Sequence, residues 1–195
     1  NDGLGSTNTG TVTLTVTGVN DLPVLATLPP LTLNEDSSFH GNGTRLGDYL
    51  SDIDSDSDEI QYRITNMGAI DSNFGISIGM ASNSDQFALR SDNSIHIHPA
   101  NHFHGQTTVT IEARDPAGDV SNTQNFTVTI NSVNDSPLAS GATYQPVENQ
   151  LFEKNKASGL ATLVTDAEQD NLTFHVVTTA SNGQLTVNQD GSFSY

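Results

Sequence analysis

The 195-residue sequence has no cysteine, no tryptophan, only six lysines and arginines, and no long apolar run. Each absence excludes something. Without cysteine there are no disulfides and no thiolate metal sites, so the fold must be held by its core, with or without bound ions; an extracellular address stays open. A membrane helix needs ~18 or more consecutive apolar residues, and no such stretch exists. No signal peptide opens the chain, which starts "NDGLGSTNTG", so any targeting signal is expected on a longer parent protein. Against the six cations stand 23 Asp and Glu, giving a formal charge of −17. Such a chain is repelled by nucleic acid and anionic lipid, because binding phosphates needs Lys and Arg. The acid then either solvates a disordered segment or holds a hard cation such as Ca²⁺. Clear apolar alternation argues against disorder.

The length suits one or two domains, and the chain repeats itself. Val19-Asn20-Asp21-Leu22-Pro23 follows the alternating run "TVTLTV". Val133-Asn134-Asp135-Ser136-Pro137 follows "FTVTIN", 114 residues later. "LSDIDSDSDEIQYRI" and "LVTDAEQDNLTFHVV" align without gaps, pairing Asp54, Asp56 and Asp58 with Asp166, Glu168 and Asp170. Glu35 matches Glu148. "SDNSIHI" matches "QDGSFSY", pairing Ile95 with Phe193 and Ile97 with Tyr195; the offset there is 98 residues, which places an insertion in the first copy at about residues 67–82. Residues 1–21 thus read as the last strand and linker of a preceding module, 22–135 as a complete module, and 136–195 as the first half of a third. The segment is expected to come from a tandem array. The third piece lacks counterparts of "TVTIEA" and "NFTVTI", so it is expected to be open-edged; either it pairs head-to-tail with the unpartnered strand of residues 1–16 of another copy, or both ends simply continue in a longer array.

Period-2 alternation dominates: Val12/Leu14/Val16, Ile60/Tyr62/Ile64, Val109/Ile111/Ala113, Phe126/Val128/Ile130 and Leu172/Phe174/Val176. Each run is short and bounded by Gly, Asn, Asp or Pro, and no stretch carries a helical period. The pattern predicts an all-β protein of tandem antiparallel Greek-key β-sandwiches, each module large enough for one core.

Asp54-Ser55-Asp56-Ser57-Asp58 lies just before a strand. In an extended segment alternate residues point the same way, so the three carboxylates would face one point and repel unless a cation joins them; the alternative is a solvated acidic turn. An EF-hand is excluded, since no Gly occupies the sixth position and no helices flank the run. In Asn-Asp-x-Pro, Asn supplies a carbonyl, Asp a carboxylate, and Pro stiffens the entry to the next strand.

Together the strand–Asn-Asp-x-Pro junction, Asp-x-Asp-x-Asp, the early Glu, "EARDPAG" and "QDGSFSY" resemble the cadherin-like tandem repeats of large bacterial surface adhesins, including the repeats-in-toxin type. The resemblance spans essentially the whole chain. It implies Ca²⁺ ions at the module junctions. The first junction would use Asn20, Asp21, Asp54, Asp56, Asp58 and Asp115. The second would use Glu35, Asn134, Asp135, Asp166, Glu168 and Asp170. Animal cadherins carry Asp-Arg-Glu late in each module; here that region reads "HPANHFHG", so fewer ions are expected. The implied role is a non-enzymatic, calcium-stiffened stalk, outside the cell. Its partners would be the neighbouring modules and a surface ligand of the parent adhesin, with no nucleic acid and no membrane insertion. The rival reading is a module recognising carbohydrate or protein; few aromatics and no Trp weigh against it.

Three further motifs stand out. "GISIG", residues 75–79, fits the G-x-S-x-G nucleophile elbow, but that needs an α/β sheet, so a plain strand or loop is the expectation. "HIHPANHFH" places His96, His98, His102 and His104 at spacings that suit Zn²⁺ or Cu²⁺. The simpler reading puts His96 and His98 on the outer face of a strand, opposite Ile95 and Ile97. The insertion is either a recognition loop or an extra hairpin.

Overall fold

A computed structural model describes residues 9–79, 84–89 and 92–195, and of residues 41–43 the backbone alone. The middle module contributes β1 (Val24–Leu25), β2 (Leu31–Asn34), β3 (Phe39–Arg45), β4 (Leu50–Ser51), β5 (Gln61–Ile64), β6 (Ile76–Ile78), β7 (Ser94–Ile97), β8 (Gly105–Arg114) and β9 (Gln124–Asn131). Among the described residues the only helical pieces are short 3₁₀ turns, and none is long and apolar enough to cross a membrane.

β8 and β9 form the longest ladder, from Gly105 opposite Ile130 to Ile111 opposite Gln124. Along β9, Phe126, Val128 and Ile130 are buried while the residues between them are not, as expected for a strand with one face in a core. β5 pairs with the far edge of β8, giving a four-stranded sheet ordered β2-β9-β8-β5. A second sheet, β3-β7-β6, turns Ile76, Ile78, Ile95 and Ile97 inward. These side chains meet Tyr62, Ile64, Val109 and Ile111 in one core. The fold is therefore an all-β sandwich, as the alternation predicts.

One ladder departs from an antiparallel pattern. β1 pairs antiparallel with β4, yet β2 runs parallel to β9, with Leu31 opposite Val128. Pro29 and Pro30 lie between β1 and β2 and cannot donate to a ladder. The break lets the first strand leave one partner and join another.

Residues 136–195 repeat part of this plan with β10 (Leu138–Ala139), β11 (Glu153–Lys154), β12 (Val164–Thr165), β13 (Thr186–Val187) and β14 (Phe193–Ser194). β10 pairs with β12 as β1 does with β4, and the backbone bond Ala26 to Tyr49 recurs as Ser140 to Leu163, 114 residues on. Asp92 accepts the Ser94 N–H, and Asp190 that of Ser192. Nothing in 136–195 corresponds to β8 and β9. The alternating run Leu172/Phe174/Val176 accordingly forms no strand: Leu172 and Phe174 are half-buried, and Val176 is exposed. Its counterpart β5 owes its ladder to β8, and an unpartnered run has nowhere to place its N–H and C=O groups. Val12, Leu14 and Val16 likewise form no strand and are almost fully exposed.

The insertion lies elsewhere than the alignment suggests. Ser77 opposes His96 as Thr186 opposes Ser194. "SNFGISI" is thus the counterpart of "SNGQLTV". The main expansion of the first copy falls between Ile78 and Ser94, partly outside the described residues. "GISIG" is strand β6 and its flanks. Ser77 sits mid-strand and donates its hydroxyl to the Gly79 carbonyl at 2.8 Å, with no strand-to-helix elbow. Gly75 is required for space and for its φ of +59°, since a Cβ there would sit 1.9 Å from the His98 carbonyl oxygen.

Candidate functional site

The acids gather at the two linkers. At the first, the Asn20 amide nitrogen donates to Asp115 Oδ2 at 2.7 Å and to Asp119 Oδ2 at 2.9 Å. Two carboxylates thus converge on one hydrogen-bond donor. Asp115 is buried, and its other oxygen accepts the N–H groups of Gly118 and Asp119. Burial alone would raise its pKa, but the bonds from Asn20 and from the turn's backbone outweigh that and hold the carboxyl below the usual range. The Asp21 N–H donates to Asp54 Oδ2 at 2.7 Å.

At the second linker the Asp135 N–H donates to Glu168 Oε2 at 3.1 Å. Both contacts span 33 residues, so the structural counterpart of Asp54 is Glu168, and that of Asp52 is Asp166. The gapless alignment of the acids is therefore out by two residues. It hides a longer acidic loop in the first copy.

That loop is not extended. Asp52 Oδ1 accepts the N–H groups of both Asp54 and Ser55, at 2.9 Å each, and residues 53–59 run through bends and turns. Asp54, Asp56 and Asp58 therefore do not line one face. Asp54 reaches the linker. Asp56 and Asp58 are exposed, the Asp56 N–H donating to Glu59. In the second copy Asp166 Oδ1 accepts the Asp170 N–H, and Asp170 is exposed.

Glu35 comes to the second linker. Its Oε1 accepts the Val133 N–H at 2.7 Å, while Oε2 is buried without a hydrogen-bond partner. His104 Nδ1 stands 3.7 Å from that oxygen. Beside it Asp36, His102 and Asp135 each bring one ligand atom within 4.8 Å of the others. His102 Nδ1 is 2.6 Å from Asp135, and the His102 backbone N–H donates to Asp36. The bond and charge of Asp135, then the charges of Asp36 and Glu35, raise the His102 pKa. Both Asp36 and His102 have φ of +56°, and Asn149, 113 residues beyond Asp36, has +59°. Left-handed non-glycine residues are uncommon, and Asn, Asp and His are the types enriched there. Asn134 donates to the Asp135 carbonyl, as Asn20 does to Asp21. A cleft of about 330 Å³ opens here between His102 and Asp135 on one side and Leu138 and Asp166 on the other.

Sequence reasoning missed Asp36, Asp52 and Asp119, and grouped His102 with His96, His98 and His104 instead of with the junction acids. The spacing Asp115-x-x-x-Asp119 and the pair Glu35-Asp36 were the signals available. His96 does face away from the core, as expected, yet it is buried there: β7 is the centre strand, so His40 of β3 and Ser77 of β6 flank it on that face.

Two half-repeated β-sandwiches joined by an acidic linker define a tandem immunoglobulin-like repeat. The family model of the bacterial Ig domain matches the chain twice, at residues 20–131 and 134–195. The chain therefore belongs to the bacterial Ig domain family. Both matches begin at the Asn of an Asn-Asp-x-Pro linker. No curated protein gives a significant match.

Proposed function

We propose that this chain is a stretch of extender modules from a bacterial surface protein, and that Ca²⁺ bound at the module junctions stiffens it into a rod. The observation that carries the reading is Glu35. Its side chain is fully buried at the second linker, and Oε2 has no hydrogen-bond partner there. A buried carboxylate oxygen with no hydrogen bond, and with a histidine nitrogen no nearer than 3.7 Å, is poorly compensated, and a cation relieves that cost. Around it stand further oxygen donors: Asp36 and Asp135 beside His102, and Asp166 and Glu168 from the next module. Ca²⁺ takes about six to eight oxygens at roughly 2.3–2.6 Å, from carboxylates, amides and backbone carbonyls alike. The donor chemistry fits that ion. At the first linker Asn20, Asp21, Asp52, Asp54, Asp115 and Asp119 would hold it, with the ion taking the place between Asp115 and Asp119 that the Asn20 amide fills. Asp56, Asp58 and Asp170 would stand on the rim.

The role is mechanical. A linker that carries Asn-Asp-x-Pro and ties to both flanking modules has few remaining freedoms, and an ion removes more. The modules would then project a distant part of the parent protein away from the cell.

Calcium titration of the chain tests the reading. A ligand that binds only the folded state adds about 2.7 kcal/mol at a hundredfold excess over Kd. The melting temperature should fall in chelator and recover with Ca²⁺, and much less with Mg²⁺, which demands a tight octahedron. Glu35→Gln should abolish most of the gain. A melting temperature indifferent to chelator would sink the proposal.

A further inference from the structure

His40, His96 and His98 form a cluster that the junctions do not use. His40 on β3 lies directly opposite His96 on β7, and His98 follows two residues on, on the same face of the sheet. One ring nitrogen of each lies within 4.8 Å of the other two. The His40 ring centroid is 5.7 Å from that of His96 and 4.7 Å from that of His98.

The two nitrogens of His96 have different fates. Nε2 lies 2.6 Å from Asp92 Oδ2. Asp92 is itself held, because its other oxygen accepts the Ser94 N–H. A carboxylate at that distance keeps the proton on Nε2 and leaves a lone pair on Nδ1. Nδ1 is buried and has no hydrogen-bond partner. A buried acceptor without a donor is rare in a folded protein. A carboxylate behind an imidazole whose other nitrogen is free is the support that metal-binding histidines use.

We propose that His40, His96 and His98 bind a divalent transition ion of the Zn²⁺ class, with the fourth position left to solvent. Three imidazoles suit Zn²⁺, Cu²⁺ or Ni²⁺ and not Ca²⁺. Zn–N bonds of about 2.0–2.1 Å require the nitrogens to close to roughly 3.4 Å of one another. His40 is exposed and its ring can turn inward, while Asp92 fixes His96.

The ion would clip β3 to β7. The clip would sit beside the point where the register of that ladder shifts, between His40 and Arg45. In the following module the same ladder positions hold Glu153 and Ser194, so the site belongs to this module and not to the repeat.

Calorimetric titration of the whole chain with Zn²⁺, in saturating Ca²⁺ so that the junction oxygens are engaged, tests the assignment. One saturable site is expected. His40→Ala and His98→Ala, both away from the core, should each weaken it by about tenfold or more. Asp92→Asn should weaken it by about tenfold with all three ligands retained. His102→Ala should leave it unchanged. Nitrogen chemical shifts of the His96 ring should move on adding Zn²⁺, which a nonspecific surface ion would not cause. Absence of saturable binding at ~1 mM Zn²⁺ would overturn the proposal. So would wild-type affinity in the His40→Ala and His98→Ala variants, or loss of binding in His102→Ala alone.

Discussion

His102 Nδ1 lies 2.6 Å from Asp135 Oδ2, so a loop of the middle module grips the carboxylate of the linker that leads to the next. The pairing raises the histidine's pKa above its ordinary value of 6.5. Its contribution is full below the unfolded value and is lost as pH rises through the raised folded value. Proton and cation compete for the same carboxylate. In an NMR titration His102 should titrate above 6.5. Asp135→Asn should return it toward 6.5, and Ca²⁺ should lower it as well. A His102 pKa indifferent to Asp135→Asn would show that the contact is not formed in solution.

Asp115 works in the opposite sense. Its depressed carboxyl pKa makes a contribution present above the unfolded value, ~3.9, that is lost as pH falls through the lower folded value. Asp115→Ala removes the carboxylate that accepts the Asp119 N–H and takes one acceptor, though not the only one, from both the Gly118 N–H and the Asn20 amide. A loss of about 1–3 kcal/mol is expected. Denaturant melts at pH 7 and pH 3 check it: the gap between wild type and variant should shrink at the lower pH. An equal gap at both would assign the loss to packing instead.

The two copies should differ sharply in how much their alternating runs matter. Ile111 is fully buried between the sheets, and Ile111→Ala should cost about 2–5 kcal/mol. Val176, the last member of that run, is 37% exposed in the second copy, and Val176→Ala should move stability by less than about 0.5 kcal/mol. Chemical denaturation of both variants decides it. Comparable losses would mean that residues 172–177 pack in a way the described fold lacks.

Period-2 alternation alone locates β5, β8 and β9, because each has one face in the core. It cannot reveal the two-residue ladders β1–β4 and β10–β12, which are too short to carry a period. Nor does it tell that β2 joins β9 in parallel, which follows from Pro29 and Pro30 interrupting the first strand. Alternation also assigns His96 to an open face, since a period cannot say that a centre strand has neighbours on both sides. At the junctions, repetition brings out Asn20, Asp21, Glu35, Asn134 and Asp135, and the resemblance adds Asp115. Repetition misaligns the acidic loop because Asp52 curls the backbone. The role of His102 depends on a left-handed turn that no pattern in the sequence announces.

Distance measurement across the second junction tests the central claim most directly. The absence of cysteine allows two spin labels to be placed cleanly, through Thr32→Cys on β2 and Thr186→Cys on β13, both exposed. In chelator the distance distribution should be broad. Ca²⁺ should narrow it to a single peak, and adding Glu35→Gln should restore the breadth. A distribution of the same width with and without Ca²⁺ would contradict a calcium-stiffened rod.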